Sequence, residues 1–207
     1  MKMLVLHTPK GGSGKSTLTR EIATLAAKAG LKTAIADMDP QGTTSGWFQR
    51  RQNEAPSLVK LDPASLGANL RTLSAEFDFL VVDTPPASPT FIPALLTQAD
   101  MVLVPVRPTP DDLLAAAAIA KSLGRHSQWA FVLSQVPPRT RLLASAVRQL
   151  AAIGRVAPVQ ITFRADYPAA AIDGSAAGEL TGKASDEAAA LYSYINSTLG
   201  NDDGKAT

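Results

Sequence analysis

Residues Lys10–Thr17 read KGGSGKST and follow directly on the short apolar run MLVLH. No other stretch restricts the fold as strongly. Leu18, Ile22, Leu25, Ala26 and Ala29 then recur at helical spacing and Gly30 closes the pattern, so the glycines lie between a strand and a helix. In that setting glycines let successive backbone N–H groups turn inward, and the helix N-terminus adds its partial positive charge. The product is a cradle for phosphate. Gly11, Gly12, Ser13, Gly14, Lys15, Ser16 and Thr17 would form it, with the Lys15 ammonium on the β- and γ-phosphates and the Ser16 hydroxyl on a magnesium ion. There is one departure: the spacing G-x-x-x-x-G-K-S requires its first glycine at position 9, where this chain has Pro9, and a second lysine, Lys10, precedes the glycine pair.

The rest of the chain repeats the same alternation. KTAIADMD, FDFLVVD, MVLVPV and WAFVLSQV are apolar runs of strand length, separated by Ala- and Leu-rich stretches of helical character. This predicts an α/β fold: a doubly wound, mostly parallel sheet with helices on both faces. Thr109-Pro110-Asp111-Asp112 reads as a helix start, with a capping hydroxyl, a first-turn proline and two carboxylates at the positive end of the dipole. Ser185 is expected to open a last helix through Leu191, Ile195 and Leu199, which Gly200 stops.

At 207 residues, 45% apolar and 18% charged, the chain suits one ordered domain over residues 1–199, with a flexible tail over 200–207. The absence of cysteine excludes disulfides, thiolate metal sites and iron–sulfur clusters. The apolar start is too short for a secretory signal and no run approaches a membrane span, so a cytoplasmic location is expected. A net charge of +2 permits a polyanionic partner without requiring one.

Three carboxylates accompany the loop. Asp83 ends the run FLVVD and is expected at the carboxyl edge of a central strand, where it would hold magnesium through water; capping the following turn, DTPP, is its alternative use. Asp37 and Asp39 are two residues apart, and a strand continued through them would put both carboxylates on one face. Pro40 and Gly42 then allow a loop that moves with nucleotide state, although an exposed turn favours the same residues.

The segments KGGSGKST, DMDPQGTTSGW, FLVVDTPP and VPVRPTPDDL together resemble the deviant Walker A ATPases of the ParA/MinD family, and weaker likeness extends over most of residues 1–199. The resemblance implies ATP or ADP with Mg2+, weak ATP hydrolysis, and a homodimer closed around two nucleotides. Lys10 matches the lysine that crosses to the partner's phosphates, where it offsets charge between two polyanions. Asp39 matches the residue that positions the attacking water, Asp37 one near the magnesium shell, and Gln135 a position near adenine.

The branch of the family depends on what lies outside the loop. Iron–sulfur members need cysteines that are missing here. The last helix lacks Lys and Arg between Ser185 and Leu199, and the tail contains two acids, Asp202 and Asp203, against a single Lys205, so membrane anchoring is not expected. Arg139, Arg141, Arg148 and Arg155 around one expected helix, with Arg164 and Lys183, form a candidate surface for non-specific DNA, Arg141 and Arg148 sharing a helical face. The leading expectation is a nucleoid-associated switch for plasmid or chromosome partition, released from DNA when a ParB-like adaptor stimulates hydrolysis. Positioning of a protein cargo, a microcompartment or chemoreceptor cluster, through a cargo adaptor is the alternative. A ligase of the dethiobiotin synthetase type is a third reading, disfavoured because DMDPQG and Lys10 occur together.

Overall fold

Side chains alternate across the first strand, β1 (Lys2–Leu6): Leu4 and Leu6 enter one apolar cluster, Met3 and Val5 another. That two-sided burial is what a sheet covered on both faces requires. The computed structural model describes residues 1–86, 89–124 and 128–200. After β1 come α1 (Lys15–Lys28), β2 (Thr33–Asp37), α2 (Thr43–Arg50), β3 (Ser57–Val59) and α3 (Leu66–Glu76). Then follow β4 (Phe79–Asp83), α4 (Ile92–Gln98), β5 (Met101–Val106), α5 (Pro110–Leu123), β6 (Trp129–Val136) and α6 (Leu143–Ala151). The described chain closes with β7 (Val156–Thr162), α7 (Asp166–Ala170) and α8 (Lys183–Thr198). The seven strands form one sheet in the order β3-β2-β4-β1-β5-β6-β7, and all six neighbouring pairs are parallel.

Strand order reverses beside β1, which pairs with β4 on one side and β5 on the other. In open parallel sheets a crevice forms at such a point, outside the carboxyl ends of the strands. The registers Leu6 with Asp83 and Asp37 with Asp83 bring both carboxylates to that edge beside the glycine loop. One cluster, with Leu18 and Ile22 of α1 and Leu191 and Ile195 of α8, fills one face; the other, with Leu95, Ile119 and Leu150, fills the second.

The α/β doubly wound architecture is the expected one, and the four apolar runs are β2, β4, β5 and β6. The capped start at Thr109 is also present, its side chain accepting from the Asp112 N–H. Several boundaries differ. Strand β2 ends at Asp37, and Asp39 begins a turn in which the Gly42 N–H donates to the Asp39 carbonyl, so the two carboxylates do not share a strand face. Helix α6 begins at Leu143, which leaves Arg139 and Arg141 in the preceding loop and breaks the expected Arg141–Arg148 stripe. Helix α8 begins at Lys183 rather than Ser185. Strands β3 and β7 were not expected; β3 is only three residues long, and β7 alternates buried and exposed positions irregularly. The expected flexible tail lies outside the described residues from 201 onward.

Candidate functional site

The loop between β1 and α1 turns on two glycines with positive φ, Gly12 at 71° and Gly14 at 92°, the latter immediately before the first helical residue. A Cβ on Gly14 would stand 2.7 Å from Ser134 Oγ, so both its backbone conformation and its space exclude a side chain. A Cβ on Gly12 would meet nothing nearer than Arg107 Nη1 at 3.7 Å, so within this chain it is the φ alone that favours glycine there. Loop residues 11–17 line a cleft of about 350 Å³ together with Arg20, Asp39, Gln41, Thr43, Pro86 and Gln135. The loop residues named from the sequence thus line one cleft.

Lys15, only 6% exposed, donates through Nζ to the carbonyls of Thr8 and Lys10 at 3.3 and 3.4 Å. Burial lowers its pKa, while the charges of Asp83 and Asp39 pull the other way. Asp83 is fully buried: Oδ2 accepts from Thr44 Oγ1 at 2.7 Å, and Oδ1 has no hydrogen-bond partner. Burial pushes its carboxyl up to about 6, with the Thr44 hydrogen bond and the neighbouring Ser16 hydroxyl opposing the shift. A buried carboxylate oxygen without a partner, next to a serine hydroxyl, fits a water-shelled magnesium ion, which uses few protein ligands. Among the described residues no group of three or more His, Cys, Asp or Glu forms a cage of its own. Any such ion would depend on oxygens that a ligand brings.

The other carboxylates are locally engaged. Asp37 Oδ2 accepts from the Ser45 N–H at 2.7 Å and from Ser45 Oγ at 2.9 Å, and its Oδ1 accepts from the Asp39 N–H. It thus anchors the first turn of α2. Asp39 stands on the cleft wall, where Oδ1 accepts from the Gln41 N–H at 3.0 Å. Gln135, expected just after a strand, is inside β6, with φ 52°. Its Nε2 donates to the Gly12 carbonyl at 2.8 Å, bracing the loop.

Lys10 lies 3.9 Å from Asp112 Oδ1. That carboxylate is 4% exposed and is gripped by Arg107 Nε at 2.6 Å and Thr109 Oγ1 at 2.8 Å, which hold it ionised. The VPVRPTPDDL segment therefore sets a fixed anion beside the second lysine. Of the basic residues weighed for DNA, Arg164 is occupied: it donates Nε and Nη2 to Glu187 Oε1 at 3.1 and 2.7 Å. Arg139, Arg141, Arg148, Arg155 and Lys183 are exposed.

His7 adds a pH-dependent element beneath the loop. Thr84 Oγ1 donates to the Leu6 carbonyl at 2.8 Å, so His7 Nδ1, 3.2 Å from that hydroxyl, carries the hydrogen. Burial, and then the Lys15 charge, lower the imidazole pKa to about 4. The unfolded chain binds the proton near 6.5 and the folded chain only near 4, so stability present above pH 6.5 is lost as pH falls through that window. His7→Gln is expected to remove about 2 kcal/mol of that acid sensitivity. Melting curves of both proteins at pH 7 and pH 4.5 check this; parallel losses would assign the acid sensitivity to other groups.

The sequence model of the CobQ/CobB/MinD/ParA nucleotide binding domain matches residues 4–176, from β1 through the glycine loop and both acidic strand ends to the segment after α7. The chain belongs to this family. It is 28% identical to the maintenance of carboxysome distribution protein A of Halothiobacillus neapolitanus over 95% of both chains. With the protein of the same name from Gloeobacter kilaueensis it shares 32% identity over 97% of this chain and 95% of that one. Among solved structures, apo McdA of Cyanothece superposes with a TM-score of 0.78 at 20% identity, covering 97% of this chain and 100% of that one, a likeness of fold. No described helix is long and apolar enough to cross a membrane.

Proposed function

We propose that this chain is a ParA-type positioning ATPase that distributes a protein cargo, in the manner its relatives' names indicate, rather than a plasmid partition ATPase. The observation that carries this reading is the similarity to two carboxysome-distribution proteins along nearly the whole length of each chain. The cleft supports the nucleotide chemistry. Backbone N–H groups of residues 11–17 and the Lys15 ammonium would hold the phosphates, with Ser16 and Asp83 beside the magnesium ion and Asp37 fixing the neighbouring turn. Bound magnesium supplies charge neutralisation at the leaving phosphate oxygens. Asp39, on the cleft wall in the turn that the Gly42 N–H closes, orients the attacking water. Lys10 leaves Asp112 to reach the phosphates of a second copy, which couples dimerisation to ATP. The dimer, a single domain per copy over residues 1–199, binds DNA non-specifically through exposed arginines in the cytoplasm. An adaptor on the cargo stimulates hydrolysis and release.

Deleting the gene separates the two readings. The expected result is that a protein-shelled body, seen by electron cryotomography, collects into one clump per cell while plasmid inheritance stays at the parental level. Loss of plasmids with cargo spacing undisturbed would establish partition and overturn the positioning reading.

A further inference from the structure

Arg20 stands one helical turn after Thr17 on α1, and no motif calls for a cation there. It is 9% exposed and lines the cleft beside the loop. Buried guanidinium groups ordinarily sit on a carboxylate, because an unpaired buried charge is costly. Among the described residues Arg20 makes no ion pair within 4 Å. The adjacent Glu21 carboxylate is turned away, accepting the N–H groups of Ala177 and Gly178 at 2.9 and 2.7 Å, and Asp83 Oδ2 takes Thr44. Glu21 and Asp83 favour the charge of Arg20 at longer range, whereas Arg50 opposes it. Its hydrogen bond runs from Nη2 to Thr17 Oγ1 at 3.2 Å. Thr17 is itself on the cleft wall.

We infer that Arg20 is a further positioning residue of the nucleotide site, acting on the phosphate chain through Thr17. Because Thr17 Oγ1 accepts from Arg20, its own hydrogen is left to donate toward an anion in the cleft. The guanidinium charge, incompletely balanced within the chain, is completed by the same anion. Arg20 thus ties the helix to the occupant of the cleft, whereas Lys15 contacts that occupant directly. This inference rests on the nucleotide-driven reading above.

Titration with a fluorescent ATP analogue and melting curves with and without Mg-ATP, on the full chain, test it. Arg20→Met keeps the stem's bulk and removes the charge. It is expected to weaken ATP binding about tenfold and to shrink the melting shift that nucleotide produces. Its melting temperature without nucleotide should hold or rise, since a costly buried charge is gone. Arg20→Lys should recover part of the affinity. Combining Arg20→Met with Thr17→Val should cost no more than the larger single change, because one pathway is lost once. Parental affinity in Arg20→Met, or a lower nucleotide-free melting temperature with unchanged affinity, overturns the assignment and leaves Arg20 a structural residue. If Arg20→Met does not fold, Arg20→Lys decides: intermediate affinity supports the role, parental affinity overturns it. A parent chain that binds no ATP sinks the proposed function instead.

Discussion

Lys15→Ala is expected to lower ATP affinity at least about a hundredfold while the fold survives. The ammonium is held at the base of the cleft by two long hydrogen bonds, 3.3 and 3.4 Å, to the Thr8 and Lys10 carbonyls. Phosphate oxygens are far stronger partners for a cation than such carbonyls, so a nucleotide would draw Nζ from them at little cost. Burial already penalises the charged amine, and the carboxylates of Asp83 and Asp39 offset part of that penalty. Removing the side chain therefore takes away a ligand contact without breaking an ion pair on which the fold depends. Fluorescent ATP titration read beside a nucleotide-free melting curve gives the answer. Affinity within a few-fold of the parent would take Lys15 out of the site.

Lys10→Ala should give the opposite pattern: nucleotide affinity of the monomer near the parental value, and no ATP-induced dimer. The Lys10 side chain is 37% exposed and lies 3.9 Å from Asp112. The pair is long and partly solvated, so losing it changes stability little. In a closed dimer two nucleotides face each other across the interface, and each loses a neutralising charge when the partner's Lys10 is gone. Hydrolysis should fall with the dimer. Light scattering with a slowly hydrolysed ATP analogue supplies the mass. A Lys10→Ala dimer of normal stability, or a loss of nucleotide as severe as in Lys15→Ala, would place Lys10 in its own subunit's site and remove the trans mechanism.

The contrast between these two lysines shows how the sequence carries information. That KGGSGKST sits between an apolar run and an amphipathic helix is a local property: φ above zero at Gly12 and Gly14 and burial of Leu18 and Ile22 follow from residues within one turn of each other. The same holds for the Thr109 cap and for Asp83 at the end of a fully buried strand. Strand β3 was not legible because three half-buried residues carry no period. The stripe of Arg141 and Arg148 failed because helix α6 starts after Arg141, in a loop whose geometry is not written in apolar spacing.

The glycine loop, the parallel α/β architecture and the acidic strand ends could be read from the chain, because spacing, backbone freedom and hydrophobic period set them. Which polar groups pair was settled by the fold. Glu21 meets Ala177 and Gly178 more than 150 residues along the chain, Glu187 pairs with Arg164, and Arg51 reaches Glu179 at 2.6 Å while stacking over Trp47. It also decided that Arg20, which no sequence motif singles out, is buried against the cleft. The reason is physical: period and turn chemistry act between neighbours, whereas the cost of burying a charge depends on groups that the fold alone brings within reach.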